Sequence, residues 1–130
     1  MTGKTYQKKK KAYLWGLAAE WLSILVLTLK GYRILERRFT CRSGEVDLIV
    51  QKGNLICFIE VKARKSTRDA LFALSNKQKT RISRAAEWYL AKNIQGNTSH
   101  ENIYRFDMMA VEPWCLPTHI VDAWQMEIMI

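Results

Sequence analysis

The stretch that determines the fold is GEVDLIVQKGNLICFIEVKAR, residues 44–64. Two apolar segments, 46–51 and 55–63, flank Gly53-Asn54, a dipeptide typical of a two-residue β-hairpin turn. The second segment begins LICFIEV and is almost unbroken in its apolar character, as expected of a central strand covered on both faces. The sequence therefore predicts a hairpin whose second strand lies inside a sheet.

Charged residues stand at unexpected positions in this hairpin. Glu60 and Lys62 are two residues apart near the end of the second strand, so they point to the same face. If Gly53 and Asn54 form the turn, Lys52 pairs with Leu55, and the register continues until Asp47 faces Glu60. A slip of one residue would separate the two carboxylates, so their proximity depends on the turn.

Two neighbouring carboxylates repel each other unless a cation lies between them. Mg²⁺ typically binds one or two carboxylates together with waters and substrate phosphate, and it can generate a hydroxide nucleophile near neutral pH. We therefore predict that Asp47 and Glu60 bind Mg²⁺ or Mn²⁺ and that Lys62 assists the attack on a phosphodiester. The alternative is that Glu60 and Lys62 form an ordinary salt bridge at the solvated end of the strand.

The remaining sequence predicts an α/β domain over residues 12–130, preceded by a basic, flexible tail at 1–11. A helix is expected at 12–30 with Gly31 as its stop, and a second at 76–92 with Ser75 as its N-cap. Beyond the hairpin, strands are expected at 32–39, 104–111 and 119–122, a polar loop with one helical turn at 64–75, and a further loop at 93–101. This order predicts a mixed sheet with helices packed on it.

Composition restricts the class of protein. The chain has 130 residues, is 48% hydrophobic and 25% charged, and carries a formal charge of +9, which excludes a disordered or collagen-like chain. Of its 21 Lys and Arg, all except Arg105 lie in residues 1–92. Such asymmetry predicts a polyanionic partner, either nucleic acid or an anionic membrane surface. Three widely spaced cysteines fit a reducing compartment, the cytoplasm.

The N-terminal segment resembles a targeting signal, because lysines at 8–11 precede a largely apolar stretch about long enough to cross a bilayer. Glu20 interrupts this stretch at a cost of about 2.5–3.5 kcal/mol at that depth, and no small-x-small cleavage site follows. We therefore expect a helix that does not span a membrane. A peripheral membrane protein that uses the lysines and this helix is the lowest-ranked interpretation.

Two other acids lie in apolar segments. Glu20 could reach over the sheet as a further metal ligand, or it could pair with a base such as Lys62 or Arg64, which is the favoured alternative. Asp107 lies in the apolar strand at 104–111, where a buried partner of an arginine is expected rather than a ligand.

Basic residues gather around the predicted site. Lys77, Arg81 and Arg84 follow the helical spacing of four and three on the face opposite the apolar one, as phosphate-binding side chains would. Arg64 and Lys65 directly follow the E-x-K strand. Gln78 could contact a metal-bound water or phosphate. For each of these residues, a solvated surface position is the alternative.

The strings GEVDLI and FIEVKAR at 44–49 and 58–64 together resemble the PD-(D/E)XK nuclease superfamily, and more narrowly the YraN-like family of small bacterial proteins. Further similar pieces are Gly16 with Ala19-Glu20, KGYRIL at 30–35, and Arg105-Phe106-Asp107. The likeness covers roughly residues 13–125. Val46 stands where the superfamily's name has proline, and the acid that follows it is retained.

The resemblance implies a restriction-endonuclease-like fold, a mixed central sheet flanked by helices. In members related to archaeal Holliday-junction resolvases, a helix acid, a strand Asp and E-x-K act together, and these roles fall here on Glu20, Asp47, Glu60 and Lys62. The resemblance also implies a possible homodimer. We therefore expect a metal-dependent nuclease acting on DNA, with branched and single-stranded DNA as the candidate substrates. The alternative is a non-catalytic nucleic-acid-binding or adaptor protein on the same fold.

Overall fold

The fold was analysed in a computed structural model that describes residues 3–93 and 103–126. Its elements in chain order are α1 (Gly3–Leu29), β1 (Arg33–Cys41), β2 (Gly44–Lys52), β3 (Leu55–Ala63), α2 (Thr67–Ala73), α3 (Asn76–Asn93), β4 (Ile103–Val111) and β5 (Thr118–Trp124). The expected order of elements is confirmed for the described residues, except that the loop expected at 64–75 contains a seven-residue helix, α2, where one helical turn was predicted. The loop expected at 93–101 lies outside the described residues from position 94 onward.

The five strands of the described chain form one mixed sheet in the order β1-β2-β3-β4-β5. Within this sheet β3 and β4 pair in parallel, and the other neighbours are antiparallel. The connection between β3 and β4 contains α2 and α3, as a parallel crossover requires. β3 therefore lies in the centre of the sheet, where the unbroken apolar character of its sequence predicts it.

The hairpin between β2 and β3 has the predicted turn and register. Lys52 pairs with Leu55, and the ladder continues to Leu48 opposite Ile59. Gly53 has a φ of 61°, a left-handed conformation that glycine adopts without steric cost. The ladder ends with the pair of Leu48 and Ile59, and Asp47 and Glu60 are the next residues on the two strands. The Val61 amide donates to Asp47 Oδ2, so the predicted proximity of the two acids is confirmed.

The sheet is covered on both faces. On one face, α3 packs over a core that includes Ile56, Phe58 and Phe106. On the other, α1 packs over a smaller core that includes Leu48, Cys57 and Ile59. A mixed five-stranded sheet with three flanking helices is consistent with the restriction-endonuclease-like fold expected from the sequence.

The N-terminal helix is longer than predicted. The expected start near residue 12 is wrong, because α1 begins at Gly3 and includes residues 3–11, which were expected as a tail. All of those residues are exposed. Lysine and glutamine have good helix propensity, so this part of the helix continues beyond its contact with the sheet. At the other end, the Tyr32 amide donates to the Leu27 carbonyl and Gly31 has a φ of 93°, so Gly31 ends the helix as predicted.

Candidate active site

The candidate site lies at the end of β3, on the face covered by α3. Glu60 is two residues from Phe58 and shares its face, and only 8% of its surface is exposed. The Lys62 Nζ atom lies 3.4 Å from Glu60 Oε2, and both side chains are largely buried. The ion pair is therefore enclosed, in contrast to the solvated strand end of the simpler interpretation.

Asp47 approaches this pair from β2. Its Oδ2 atom accepts a hydrogen bond of 2.8 Å from the backbone amide of Val61, between Glu60 and Lys62. Burial, and then the adjacent Asp47 carboxylate, raise the pKa of Glu60 well above its usual range, although Lys62 opposes the shift. The site thus contains two carboxyl groups and one ammonium group. When both acids are ionised, the charge of Lys62 balances only one of them.

A local distortion of the strands turns Asp47 toward β3. Val46 packs in the core under α3, whereas Leu48 packs in the core under α1, although residues two apart on a regular strand share one face. On β1, the residue between the pairs Arg37–Leu48 and Phe39–Val46 is Arg38, whose φ is 52°. A left-handed arginine is uncommon and costs about 1 kcal/mol or more, so this distortion is maintained by its surroundings.

A small cavity of about 20 Å³ adjoins Glu60 and extends to α3. It is lined by Glu45, Glu60, Gln78, Arg81 and Ile82. The Oε1 atom of Gln78 is buried and accepts no hydrogen bond from the described part of the chain. A cavity of this size holds about one water molecule or one small ion. Gln78 is therefore a member of the site rather than a surface residue.

Gly44 allows α3 to approach the site so closely. A Cβ atom at this position would lie 1.9 Å from the backbone oxygen of Arg81, a distance that no packed atom tolerates. Any side chain here would push away the helix turn that carries Gln78 and Arg81. The sequence contains Gly44 in the string GEVD, but its contact with a helix 37 residues later is visible only in the fold.

Glu20 does not join this cluster. Its two carboxylate oxygens pair with Arg37 Nε at 3.0 Å and Arg38 Nε at 3.2 Å, and it lies on α1, which covers the other face of the sheet. The expected pairing with a base is confirmed, but the bases are not Lys62 or Arg64. Among residues 3–93 and 103–126, no three His, Cys, Asp or Glu side chains gather into a metal site.

The predicted basic residues surround the site unevenly. Lys77, Arg81 and Arg84 lie exposed on α3, and Arg81 Nε lies 3.4 Å from Glu45 Oε1 in an ion pair that is open to solvent. Arg64 and Lys65 are exposed just after β3, where the Arg64 side chain donates to the Ala63 carbonyl. Glu45, which lines the cavity, was missed by the sequence analysis, although it lies two residues before Asp47.

Asp107 forms a separate cluster, with Arg105 as the arginine partner expected from the sequence. Two nitrogens of Arg105 donate to its carboxylate at 2.7 Å, and the Asp122 amide donates at 2.9 Å. His119 Nε2 lies 2.7 Å from Asp107 Oδ2. Burial alone would raise the pKa of Asp107, but the hydrogen bonds from His119, Arg105 and the Asp122 amide lower it to about 2.

Fold and site together define a small α/β domain with a restriction-endonuclease-like architecture, in which the buried Glu60 lies beside the half-buried Asp47 and a lysine. The model of the uncharacterised protein family UPF0102 matches residues 7–111, and the chain belongs to this family. The similarity to the YraN-like family expected from the sequence is thereby confirmed.

Relatives of similar length come from several bacteria. A UPF0102 protein of Mesorhizobium japonicum is 42% identical over 125 residues, which cover 95% of this chain and 97% of that relative. A UPF0102 protein of Sinorhizobium medicae is 45% identical over 116 residues, covering 89% and 93% of the two chains. A third, of Agrobacterium fabrum, is 44% identical over 117 residues, covering 90% and 93%.

Proposed function

We propose that this protein is a metal-dependent nuclease of the PD-(D/E)XK superfamily that hydrolyses phosphodiester bonds in DNA. The observation that carries the proposal is the meeting of Asp47, Glu60 and Lys62 at the end of β3. Glu60 is buried and Asp47 is half-buried, and the described part of the chain places one ammonium group, that of Lys62, in an ion pair beside the two acids. An arrangement that costs folding energy and lies at a cavity is typical of a functional site.

The residues present fit a hard divalent cation. Asp47 and Glu60 offer carboxylate oxygens. Gln78 lines the cavity together with Glu60, and its buried Oε1 atom accepts no hydrogen bond from the described residues. Mg²⁺ or Mn²⁺ prefers such oxygen ligands and completes its coordination with waters and phosphate. When bound, the ion would polarise a phosphoryl oxygen and lower the pKa of a bound water.

The side chains of this chain would act around that ion. The hydrogen bond from the Val61 amide to Asp47 Oδ2 fixes the orientation of the Asp47 carboxylate relative to the backbone of β3. Lys62 carries its ammonium group beside Glu60 and would donate to the attacking water or to a phosphate oxygen as negative charge develops there. Glu20 has no part in this step, because its two oxygens are engaged by Arg37 and Arg38.

The test is a cleavage panel with labelled single-stranded, duplex, flap and four-way-junction DNA in EDTA, Mg²⁺ or Mn²⁺. We expect metal-dependent cutting that Asp47→Asn and Lys62→Ala each reduce by about a thousandfold or more, because the first removes a ligand of the ion and the second removes the ammonium group that donates to the attacking water or phosphate. The exposed Asp69 and Lys92 provide matched controls, as Asp69→Asn and Lys92→Ala.

Metal binding is measured separately, by titrating Mn²⁺ and following the electron paramagnetic resonance signal of the free ion. Asp47→Asn should weaken this binding, whereas Lys62→Ala should retain it. DNA binding without cutting, unchanged in both variants, would contradict the nuclease proposal and favour the adaptor alternative.

The exposed face of α3 is proposed to bind DNA backbone phosphates through Lys77, Arg81 and Arg84, assisted by Arg64 and Lys65. We expect the double substitution Arg81→Glu/Arg84→Glu to weaken DNA binding. It should also reduce the slope of log affinity against log salt concentration by about 1 for each backbone phosphate that the variant no longer binds. Lys92→Glu, at the far end of the same helix, is the control. An unchanged salt slope would remove α3 from the DNA-binding surface.

A further inference from the structure

The outward face of α1 is apolar where a surface helix is normally polar. The helix buries Ala19, Glu20, Ser23 and Leu27 against the sheet. The opposite side carries a row at spacings of three and four, here called the α1 stripe: Leu14, Ala18, Trp21, Leu22, Leu25 and Leu29. Every member is exposed, and Leu29 is 78% exposed. Apolar surface on this scale marks a binding surface.

The apolar surface continues beyond α1 into the connection between β4 and β5. A groove of about 530 Å³ lies between them, lined among others by Trp15, Leu22, Val111, Pro113, Trp114 and Leu116. Trp114 is fully exposed. Tryptophan and leucine side chains on one continuous surface are typical of proteins that insert into the boundary between lipid headgroups and acyl chains.

The same helix supplies positive charge next to this surface. Lysines at 4 and 8–11 are all exposed, and Lys4 and Lys11 continue the seven-residue spacing of Ala18 and Leu25 along the same side of the helix. In the part of the chain that the structure describes, no acid forms an ion pair with any of them. Each lysine near an anionic membrane contributes about 1 kcal/mol of attraction.

We propose that α1 binds an anionic lipid bilayer, lying in the plane of its surface with the α1 stripe in the interface and the lysines on the headgroups. By length and composition α1 is apolar enough to cross a membrane. Crossing would strip its inner face from the sheet and break the contacts of Glu20 with Arg37 and Arg38. A helix that lies on the membrane surface keeps both its packing on the sheet and the contacts of Glu20.

Charge argues for lipid over a second copy of the chain. The only acid in α1 is Glu20, and it is buried. Two α1 helices packed together would therefore set one lysine cluster against the other or against leucines, without a counter-charge. Nucleic acid would satisfy the lysines but offers no apolar phase for the leucines of the stripe.

The proposed membrane surface leaves the candidate site free. α1 covers the face of the sheet that carries Cys57 and Ile59, whereas Glu60 and its cavity lie under α3 on the other face. Membrane binding and phosphate binding on α3 are therefore compatible. The membrane proposal does not depend on hydrolytic activity.

The experiment is flotation of the full-length protein with vesicles of phosphatidylcholine alone or with about 30% phosphatidylglycerol. We expect binding to the anionic vesicles that is at least about tenfold stronger than to the neutral ones. Leu25→Gln/Leu29→Gln and, separately, glutamine at all four positions 8–11 should each weaken it about tenfold or more. Leu71→Gln/Phe72→Gln, two exposed apolar residues on α2, should bind as the parent does.

Circular dichroism shows whether each variant is folded, and sedimentation velocity without lipid measures the oligomeric state. Equal binding of the parent and Leu25→Gln/Leu29→Gln, or no binding of the parent to anionic vesicles, would overturn the proposal. A dimer in the absence of lipid that Leu25→Gln/Leu29→Gln dissociates would also overturn it and assign the α1 stripe to a second copy.

Discussion

Glu60 on β3 and Asp107 on β4 are one register step apart in the sheet, yet their surroundings are opposite in character. Asp107 lies opposite Ile59, on the α1 side, and receives hydrogen bonds from Arg105, His119 and the Asp122 amide. Glu60 faces α3 and has one ammonium group at 3.4 Å and a second acid beside it.

The pKa values of the two acids move in opposite directions for this reason. Around Asp107, hydrogen bonds outweigh the effect of burial, so the ionised form is stabilised. Around Glu60, burial and Asp47 act together, so the ionised form is destabilised. A buried acid with all its partners present strengthens the fold, whereas one without them stores free energy that a bound cation can release.

The largest effect on stability is expected from Asp107→Asn. This substitution leaves Arg105 partly buried without its counter-charge and should lower the free energy of unfolding at pH 7 by about 3 kcal/mol. Urea unfolding measures it, with the exposed Asp69→Asn as the control. A loss below about 0.5 kcal/mol would contradict the view that Asp107, unlike Glu60, stabilises the fold.

The parent protein should also lose the contribution of Asp107 as the pH falls. Because the pKa of Asp107 is lowered from an ordinary value of 3.8 to about 2, its stabilisation is complete above pH 4 and disappears as the pH falls through 2. The Asp107→Asn variant should therefore show a flatter acid transition.

Glu60→Gln should change the free energy of unfolding in the opposite direction, toward greater stability. The folded state favours protonated Glu60, so the stability of the parent falls as the pH rises from about 4.5, the ordinary pKa. Glutamine imitates the neutral acid, so the variant should be more stable than the parent by about 2 kcal/mol near pH 8.5 and nearly equal near pH 4.5. Thermal melts at the two pH values measure the difference.

A variant that is less stable than the parent at both pH values would contradict the view that the ionised Glu60 carries a cost. Addition of Mn²⁺ should reverse the order at pH 8.5, because the cation stabilises only the parent site.

The smallest effect is expected from Gln78→Leu. Removing a buried oxygen that has no hydrogen bond from the described residues should change the free energy of unfolding by about 1 kcal/mol or less, toward greater stability, in the absence of metal. The same substitution should weaken the binding of Mn²⁺. A clear loss of stability in urea would show that Gln78 is held by contacts that matter for folding, and would separate it from the site.

The local sequence pattern was sufficient to predict the hairpin and most of the helices and strands. β3 begins and ends as predicted, and α3 begins at Asn76, where Ser75 Oγ accepts from the Gln78 amide as an N-cap should. These features depend on residues close in sequence, whose conformational preferences act without knowledge of the rest of the chain. The start of α1 was misplaced because lysines were interpreted as a tail, although lysine is a good helix former.

The sequence by itself determined that Asp47 comes level with Glu60 and that Glu60 and Lys62 share a face, because a two-residue turn sets the register and the alternation of β3 sets the face. The distortion beside Arg38 that turns Asp47 toward Val61 departs from this alternation and is a feature of the folded sheet. Only the tertiary structure decided which partners the other acids receive. Glu20 pairs with Arg37 and Arg38, and Asp107 with His119, because the packing of α1 and β5 on the sheet brings them together. Such long-range contacts depend on the whole packed arrangement, and no local spacing records them.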